Sequence, residues 1–364
     1  MSIFSEIRER ALIGERLARE EALFLLDPKT DLEEVRRIAD SMRETFHGNQ
    51  VCYNVNVHLN PTNVCRLRCP LCAFSCDAED EKSYVLSEDE IREIADRAVS
   101  QGATEIHVVG GIHPDKPYSW YRGILELLHH VCPRLQLKAW TAIEIAHFAR
   151  DSGKNHEKIL RDLMQVGLSG LPGGGAEIFH PEIRAKIAPR KESAEVWLNV
   201  HQTAHKIGLP TNATMLFGHV ESPEHRVQHL LTLYDAQADA ILHRHSARFE
   251  AFVPLVFHPR GTRFPDIVPA DEEDILRTVA VSRIVLSNIP HIKAYWVSLG
   301  VELAQRALHY GADDFDGTVQ QERIHHDAGS ESPVGLHAGQ LKTLIDAAGR
   351  VPVERDSHYN VKER

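Results

Sequence analysis

Four cysteines, Cys65, Cys69, Cys72 and Cys76, crowd into twelve residues, while Cys52 and Cys132 stand apart. In a reducing compartment such crowding reads as metal ligation before disulfides. The C-x3-C-x2-C spacing of Cys65, Cys69 and Cys72 lets three thiolates wrap three corners of an iron-sulfur cube and leaves one iron open to a substrate. Two rival readings stay open. Structural zinc is the first, although zinc sites usually join two separated ligand pairs across a longer insert. A ferredoxin-type cluster with Cys76 as fourth thiolate is the second. The bacterial ferredoxin run has two residues in its first gap and a proline after its last cysteine, whereas this chain has three residues there and Asp77.

Other residues that could do chemistry lie further along. In Val108-Val-Gly-Gly-Ile-His-Pro114, Gly110 and Gly111 permit close backbone approach to a ligand, or simply make a turn. Thr141-Ala-Ile-Glu144 offers a carboxylate that can accept two ribose hydroxyls, or a surface ion pair. Leu171-Pro-Gly-Gly-Gly-Ala-Glu177 lacks the Gly-Lys-Ser/Thr of a phosphate loop. Among 23 histidines, His113, His219 and His258 fall at expected strand ends, and Met215 reads as packing.

Short β-prone runs alternating with helical patterns must position these residues. The strands are expected at 51–59, 105–110, 136–143, 170–172, 210–217, 249–257, 291–297 and 313–316. Helical patterns cover 87–101, 118–132, 157–166, 193–207, 223–237, 270–287 and 300–310. Eight β segments separated by helices predict an α/β chain, a (β/α)8 TIM-type barrel or an incomplete barrel, with chemistry on loops leaving the C-terminal strand ends. Residues 1–50 read as an N-terminal helical extension and 51–364 as the barrel with C-terminal elements. The His-rich stretch 239–248 reads as an inserted loop.

Composition bounds the partners. Lys plus Arg at 41 against Asp plus Glu at 52 gives a net charge of −11, which disfavours a general grip on nucleic acid or an anionic membrane. No apolar run approaches the ~20 residues of a membrane span, and the start lacks the features of a signal peptide. A cytoplasmic protein is expected.

The Asn60-Pro-Thr-Asn-Val-Cys65-Arg-Leu-Arg-Cys69-Pro-Leu-Cys72 segment after the first strand resembles the radical S-adenosylmethionine (SAM) superfamily. The resemblance implies a [4Fe-4S] cluster on Cys65, Cys69 and Cys72, with SAM chelating the open iron and yielding a 5′-deoxyadenosyl radical. It also makes Gly110, Gly111 and Glu144 SAM contacts. A narrower likeness is to the aminofutalosine synthases, cyclic dehypoxanthinyl futalosine synthases and deazaflavin-cofactor synthases, and within these to the aminofutalosine synthases of menaquinone biosynthesis. Gly110-Gly-Ile-His-Pro114, Thr141-Ala-Ile-Glu-Ile-Ala-His-Phe-Ala149, Phe252-Val-Pro-Leu-Val-Phe-His-Pro259, Ile292-Lys-Ala-Tyr-Trp296 and Gly311-Ala-Asp-Asp-Phe-Asp-Gly-Thr318 carry it.

That family adds the adenosyl radical to 3-[(1-carboxyvinyl)oxy]benzoate, forming 6-amino-6-deoxyfutalosine. The alternatives are hydrogen abstraction by a cyclic dehypoxanthinyl futalosine synthase, an iron-sulfur electron carrier, or a zinc-stabilised binding protein. The implied partners are a small aromatic dicarboxylate and a low-potential reductant such as flavodoxin or ferredoxin. His258, Lys293 and Asp314, with Thr318 and Asp316 beside them, are the candidates for handling the substrate's carboxylates and protons. Cys76 and the His-rich stretch depart from the family pattern.

Overall fold

The computed structural model describes residues 2–362. Ten strands run along the chain: β1 (Gln50–Asn54), β2 (Asn56–Leu59), β3 (Glu105–Val108), β4 (Gln136–Ala139), β5 (Leu168–Gly170), β6 (Thr211–Phe217), β7 (Phe249–Val256), β8 (His291–Ile292), β9 (Asp314–Gly317) and β10 (Val351–Glu354). Their ladders are parallel, with helices between successive strands from β3 onward. Three sheets form, β2-β3-β4-β5, β6-β7-β8 and β10-β1-β9. Single parallel bridges join their edges, Leu171 to Thr211, Lys293 to Asp314 and Val57 to Gln320. The result is a TIM-type ring whose ladder is not continuous.

All eight expected β segments overlap a strand; the fourth lies two residues earlier, at Leu168–Gly170, and three others differ in extent. The first is divided at Val55 into β1 and β2. The third stops at Ala139, because Thr141 begins a capping box: Glu144 at the third helical position accepts the Thr141 backbone N–H. Helix Ala142–Ser152 therefore replaces the end of the expected strand. The seventh stops at Ile292, before a helical turn at Trp296–Leu299. The His-rich stretch is not an inserted loop at its start, since helix Pro223–Leu242 runs into it.

Helices Ile3–Leu12, Arg19–Leu26 and Leu32–His47 precede the ring. Val35, Ile38, Ala39 and Met42, at helical spacing, bury one face of the third against helix Glu272–Val285. Each fully buried aliphatic side chain of this kind contributes roughly 1.5–3 kcal/mol. All three helices join the same hydrophobic core as the strands.

At the N-terminal ends of the strands, β10 pairs with β1, and the residues after it close the foot of the ring. Arg355 Nε donates to Asp314 at 2.8 Å, Ser357 Oγ donates to Glu105 at 2.5 Å, and Tyr359 stacks on His291 at 3.6 Å.

Candidate active site

The cysteine loop leaves β2 and presses on the segment after β3. Gly111 N donates to Thr62 O at 2.8 Å, and Arg66 N to Ile112 O at 2.8 Å. A Cβ on Gly111 would lie 2.2 Å from Val64 O, so only glycine admits this approach. Cys76 closes the loop through its backbone, donating to Asn63 O at 3.0 Å and accepting from Cys65 N at 3.1 Å.

Cys65, Cys69 and Cys72 are free thiols that line the central cavity, whereas Cys76 is fully buried and does not. Burial pushes the Cys69 thiol up to about 11, against the pull of nearby Lys191. Thiolates in this setting need the positive charge of a bound metal. Among the described residues, the one group of three metal-capable side chains with ligand atoms within 4.8 Å of one another is His47, His291 and Asp313. The three cysteine sulfurs do not all lie within that distance of one another, whereas a single zinc at ≈ 2.3 Å would draw them to about 3.8 Å apart. The wider spacing suits an iron-sulfur cube.

The cavity encloses about 300 Å³ and runs from the barrel interior to the C-terminal strand ends. Gly110, Gly111 and Glu144 lie near the cysteine loop, and the Gly173-Gly-Gly175 turn lines the same wall. Glu144 is buried, with Oε2 accepting from Thr141 N at 2.6 Å and Oε1 from Gly110 N at 3.2 Å. Burial raises its carboxyl to about 7, although these N–H groups favour the charged form. Its place in the first turn of a helix, not on a strand, ties it to both candidate SAM-contact segments.

His258 and Lys293 also line the cavity. His258 Nε2 donates to Ser298 O at 2.9 Å, and burial lowers the ring's affinity for a second proton. Lys293 Nζ donates to Asp316 at 3.1 Å.

Asp314 is placed differently from the expectation. Its fully buried carboxylate is held by Arg355 and by Asp316 N at 2.6 Å, and it does not line the cavity. Asp316 lines it instead, because a backbone φ of +66° there breaks the strand alternation and re-aims the side chain. Thr318 spends its hydroxyl on the β2–β9 seam, donating to Asn56 O at 2.7 Å and accepting from Asn56 N at 3.0 Å. His113 accepts from Asp115 N in a local turn, and His219 is hydrogen-bonded to Leu216 O and paired with Glu221. Met215 is fully buried packing.

Several cavity residues carried no sequence signal. Lys191 arrives from beyond helix Pro181–Ile187 to form a tight ion pair with Glu177. Glu322 and His325 come from the irregular segment after β9, and Glu105, His107 and His58 rise from β2 and β3. Glu177 alone stood within a glycine-rich string.

Comparison with known proteins agrees with this geometry. The Radical SAM superfamily model matches residues 59–233 and the CofH/MqnC C-terminal region matches 246–364. The chain is 41% identical over 97% of its length to aminodeoxyfutalosine synthase of Thermus thermophilus, covering 94% of that protein. It is 38% identical over 98% to the enzyme of the same name from Streptomyces coelicolor, covering 93% of it. A 5-amino-6-(D-ribitylamino)uracil–L-tyrosine 4-hydroxyphenyl transferase of Archaeoglobus fulgidus is 38% identical over 90% of the chain, of which 93% is covered. The fold is shared with methylornithine synthase (PylB), at a TM-score of 0.76 and 16% identity, covering 95% of this chain and 97% of that one.

The donor set fits the cofactors of that family: Cys65, Cys69 and Cys72 line one cavity with Gly110 and Gly111, and three such thiols would hold an iron-sulfur cube while leaving one iron without a protein ligand. The chain belongs to the radical SAM superfamily, among the aminodeoxyfutalosine synthase homologues with a CofH/MqnC C-terminal region, and is an enzyme using a [4Fe-4S] cluster and SAM.

Proposed function

We propose that the chain catalyses the aminodeoxyfutalosine synthase reaction of menaquinone biosynthesis. SAM and 3-[(1-carboxyvinyl)oxy]benzoate combine to give 6-amino-6-deoxyfutalosine, methionine and carbon dioxide or bicarbonate. The observation that carries this reading is 41% identity maintained over 97% of the chain to an enzyme so named. When bound, the cluster and SAM supply a 5′-deoxyadenosyl radical. Addition of that radical to the vinyl carbon, with aryl migration from oxygen to carbon and loss of the carboxylate as carbon dioxide or bicarbonate, would account for the product.

The chain's own residues bind, orient and exclude water. Cys65, Cys69 and Cys72 would hold three irons of the cluster, and the Gly110-Gly111 segment with Glu144 would position SAM. Lys293, oriented by Asp316 at 3.1 Å, binds a substrate carboxylate by a charge-assisted hydrogen bond. His258, with Nε2 committed to Ser298 O, presents Nδ1 as an acceptor. Asp314, buried outside the cavity lining and paired with Arg355, serves the barrel. Ile143, Val253 and Leu255 line the walls, and an enclosed apolar wall protects a reactive radical from side reactions. A low-potential reductant such as flavodoxin or ferredoxin supplies the electron, in the cytoplasm.

Turnover of the enolpyruvyl benzoate with SAM carbon-labelled in adenosine, followed by mass spectrometry, tests the reading. Retention of the label in the major product supports addition. Release of nearly all label as 5′-deoxyadenosine, coupled to substrate oxidation, overturns it in favour of hydrogen abstraction.

A further inference from the structure

The cavity is lined by five carboxylates, Glu105, Glu144, Glu177, Asp316 and Glu322, against two lysines, Lys191 and Lys293. A substrate with two carboxylates needs two cationic or donor sites in that acidic surround. Lys191 is committed to Glu177 beside Cys69, at the cluster end. Lys293 remains, and one more partner is required.

Four histidines line the cavity. His58 is held neutral, pushed down to about 3 by burial, and burial also lowers His258 and His325. His107 alone of the four lies on β3 beside a carboxylate anchored from beneath. Its Nδ1 is 3.6 Å from Glu105 Oε1, within ion-pair reach. Glu105 Oε2 is occupied on the other side by Ser357 Oγ at 2.5 Å and Lys138 Nζ at 3.7 Å. The His107 ring stacks on His58 at 4.6 Å with 9° between planes. The imidazole is thus fixed in plane, with a negative neighbour at Nδ1 and Nε2 free of any hydrogen bond to Glu105.

Position along the strand assigns which carboxylate this is. His107 lies three residues before Gly110, about 10 Å deeper at strand rise, while the vinyl carbon must meet the adenosyl group near the glycine pair. The ring end of the substrate therefore points to the floor. We propose that His107, held by Glu105, binds the ring carboxylate of the aromatic substrate, with Ser357 as a positioning residue acting through Glu105. This rests on the proposed function and names the group that selects a meta-carboxylated ring.

The test compares 3-[(1-carboxyvinyl)oxy]benzoate with 2-phenoxyacrylate, its analogue without the ring carboxylate, by equilibrium dialysis against the cluster-loaded enzyme. His107→Gln should weaken binding of the dicarboxylate by at least about tenfold, the loss of a hydrogen bond to a charged group. Binding of the analogue, iron content and SAM affinity should stay unchanged. Ser357→Ala should give a smaller loss with the same selectivity, which a general loss of packing would not produce. Unchanged dicarboxylate binding in His107→Gln, or equal losses for both ligands, overturns the assignment. If the wild-type enzyme binds the dicarboxylate but makes no adenosyl product from it, the proposed function fails while the binding comparison still decides the role of His107.

Discussion

Cys76 is the residue at which the chain departs from a three-thiol pattern, and its placement separates scaffold from ligand. Its backbone closes the loop while its thiol stays out of the cavity. Replacing Cys65, Cys69 or Cys72 with Ala should abolish iron binding and turnover, whereas Cys76→Ala should keep iron and activity; iron analysis after anaerobic reconstitution checks both. Glu144 makes a second prediction at this scale. Its carboxyl is raised from 4.5 to about 7 in the folded chain, so between those values the folded state holds a proton that the unfolded state has released. The stabilisation from that neutral form is full below about 4.5 and is lost as pH rises to about 7, a change on the order of 3 kcal/mol. Glu144→Gln should remove this part of the pH dependence, seen in denaturant titrations at pH 5 and 7.5, and raise the KM for SAM without loss of iron. The cysteine spacing, the glycine pair and Glu144 each stand out in a local string, and the structure brings all of them to one cavity. Asp314 and Asp316 read alike in the sequence, because the positive φ at Asp316, which turns its side chain into the cavity, leaves no mark on period-two alternation.

Two elements hold the site in shape, and each can be tested separately. The cysteine loop is pinned against the turn after β3, where a methyl group on Gly111 would meet backbone at 2.2 and 2.7 Å. Gly111→Ala should displace the loop and cut iron content severely, with far-ultraviolet circular dichroism unchanged. The segment after β9 is the other element, fastened where Glu322 accepts from His325 N at 3.0 Å and pairs with His326 Nδ1 at 2.9 Å. The hydrogen bond to Glu322 raises His326 to about 9. Stabilisation from this pair is full below the unfolded value near 6.5 and is lost as pH climbs through about 9. Proteolytic cleavage within 320–337 should therefore accelerate between pH 7.5 and 9.5, and His326→Gln should be cut quickly at both. Strand and helix alternation was legible from hydrophobic periodicity. The helix at Ala142 was not, although the capping box at Thr141 and Glu144 announced it, because the mostly apolar stretch Ala139 to Ile143, broken only by Thr141, continued the strand pattern across the boundary.

At the scale of the molecule, the chain's late residues return to seal the foot of a ring begun some 300 residues earlier, with Val51 in register with Pro352. No local pattern encodes that return, which is why neither β10 nor the pairing of Arg355 with Asp314 is visible in the sequence. The lock is the buried pair of Arg355 with Asp314, covered by the Tyr359 ring 4.1 Å from the guanidinium. Asp314 and Arg355 are both fully buried, so removing the cation strands a carboxylate in a medium that solvates it poorly. Arg355→Met should lower stability by about 3–5 kcal/mol. Adding Asp314→Asn to that variant should recover much of the loss, because the stranded charge is gone while the apolar contacts of the methionine remain. Single-site additivity would instead make the double variant worse than either alone. Denaturant midpoints of the wild type, the two single variants and the double variant decide between these outcomes. Iron content measured on the same samples should stay constant throughout, since the pair lies at the end of the ring opposite the cysteine loop.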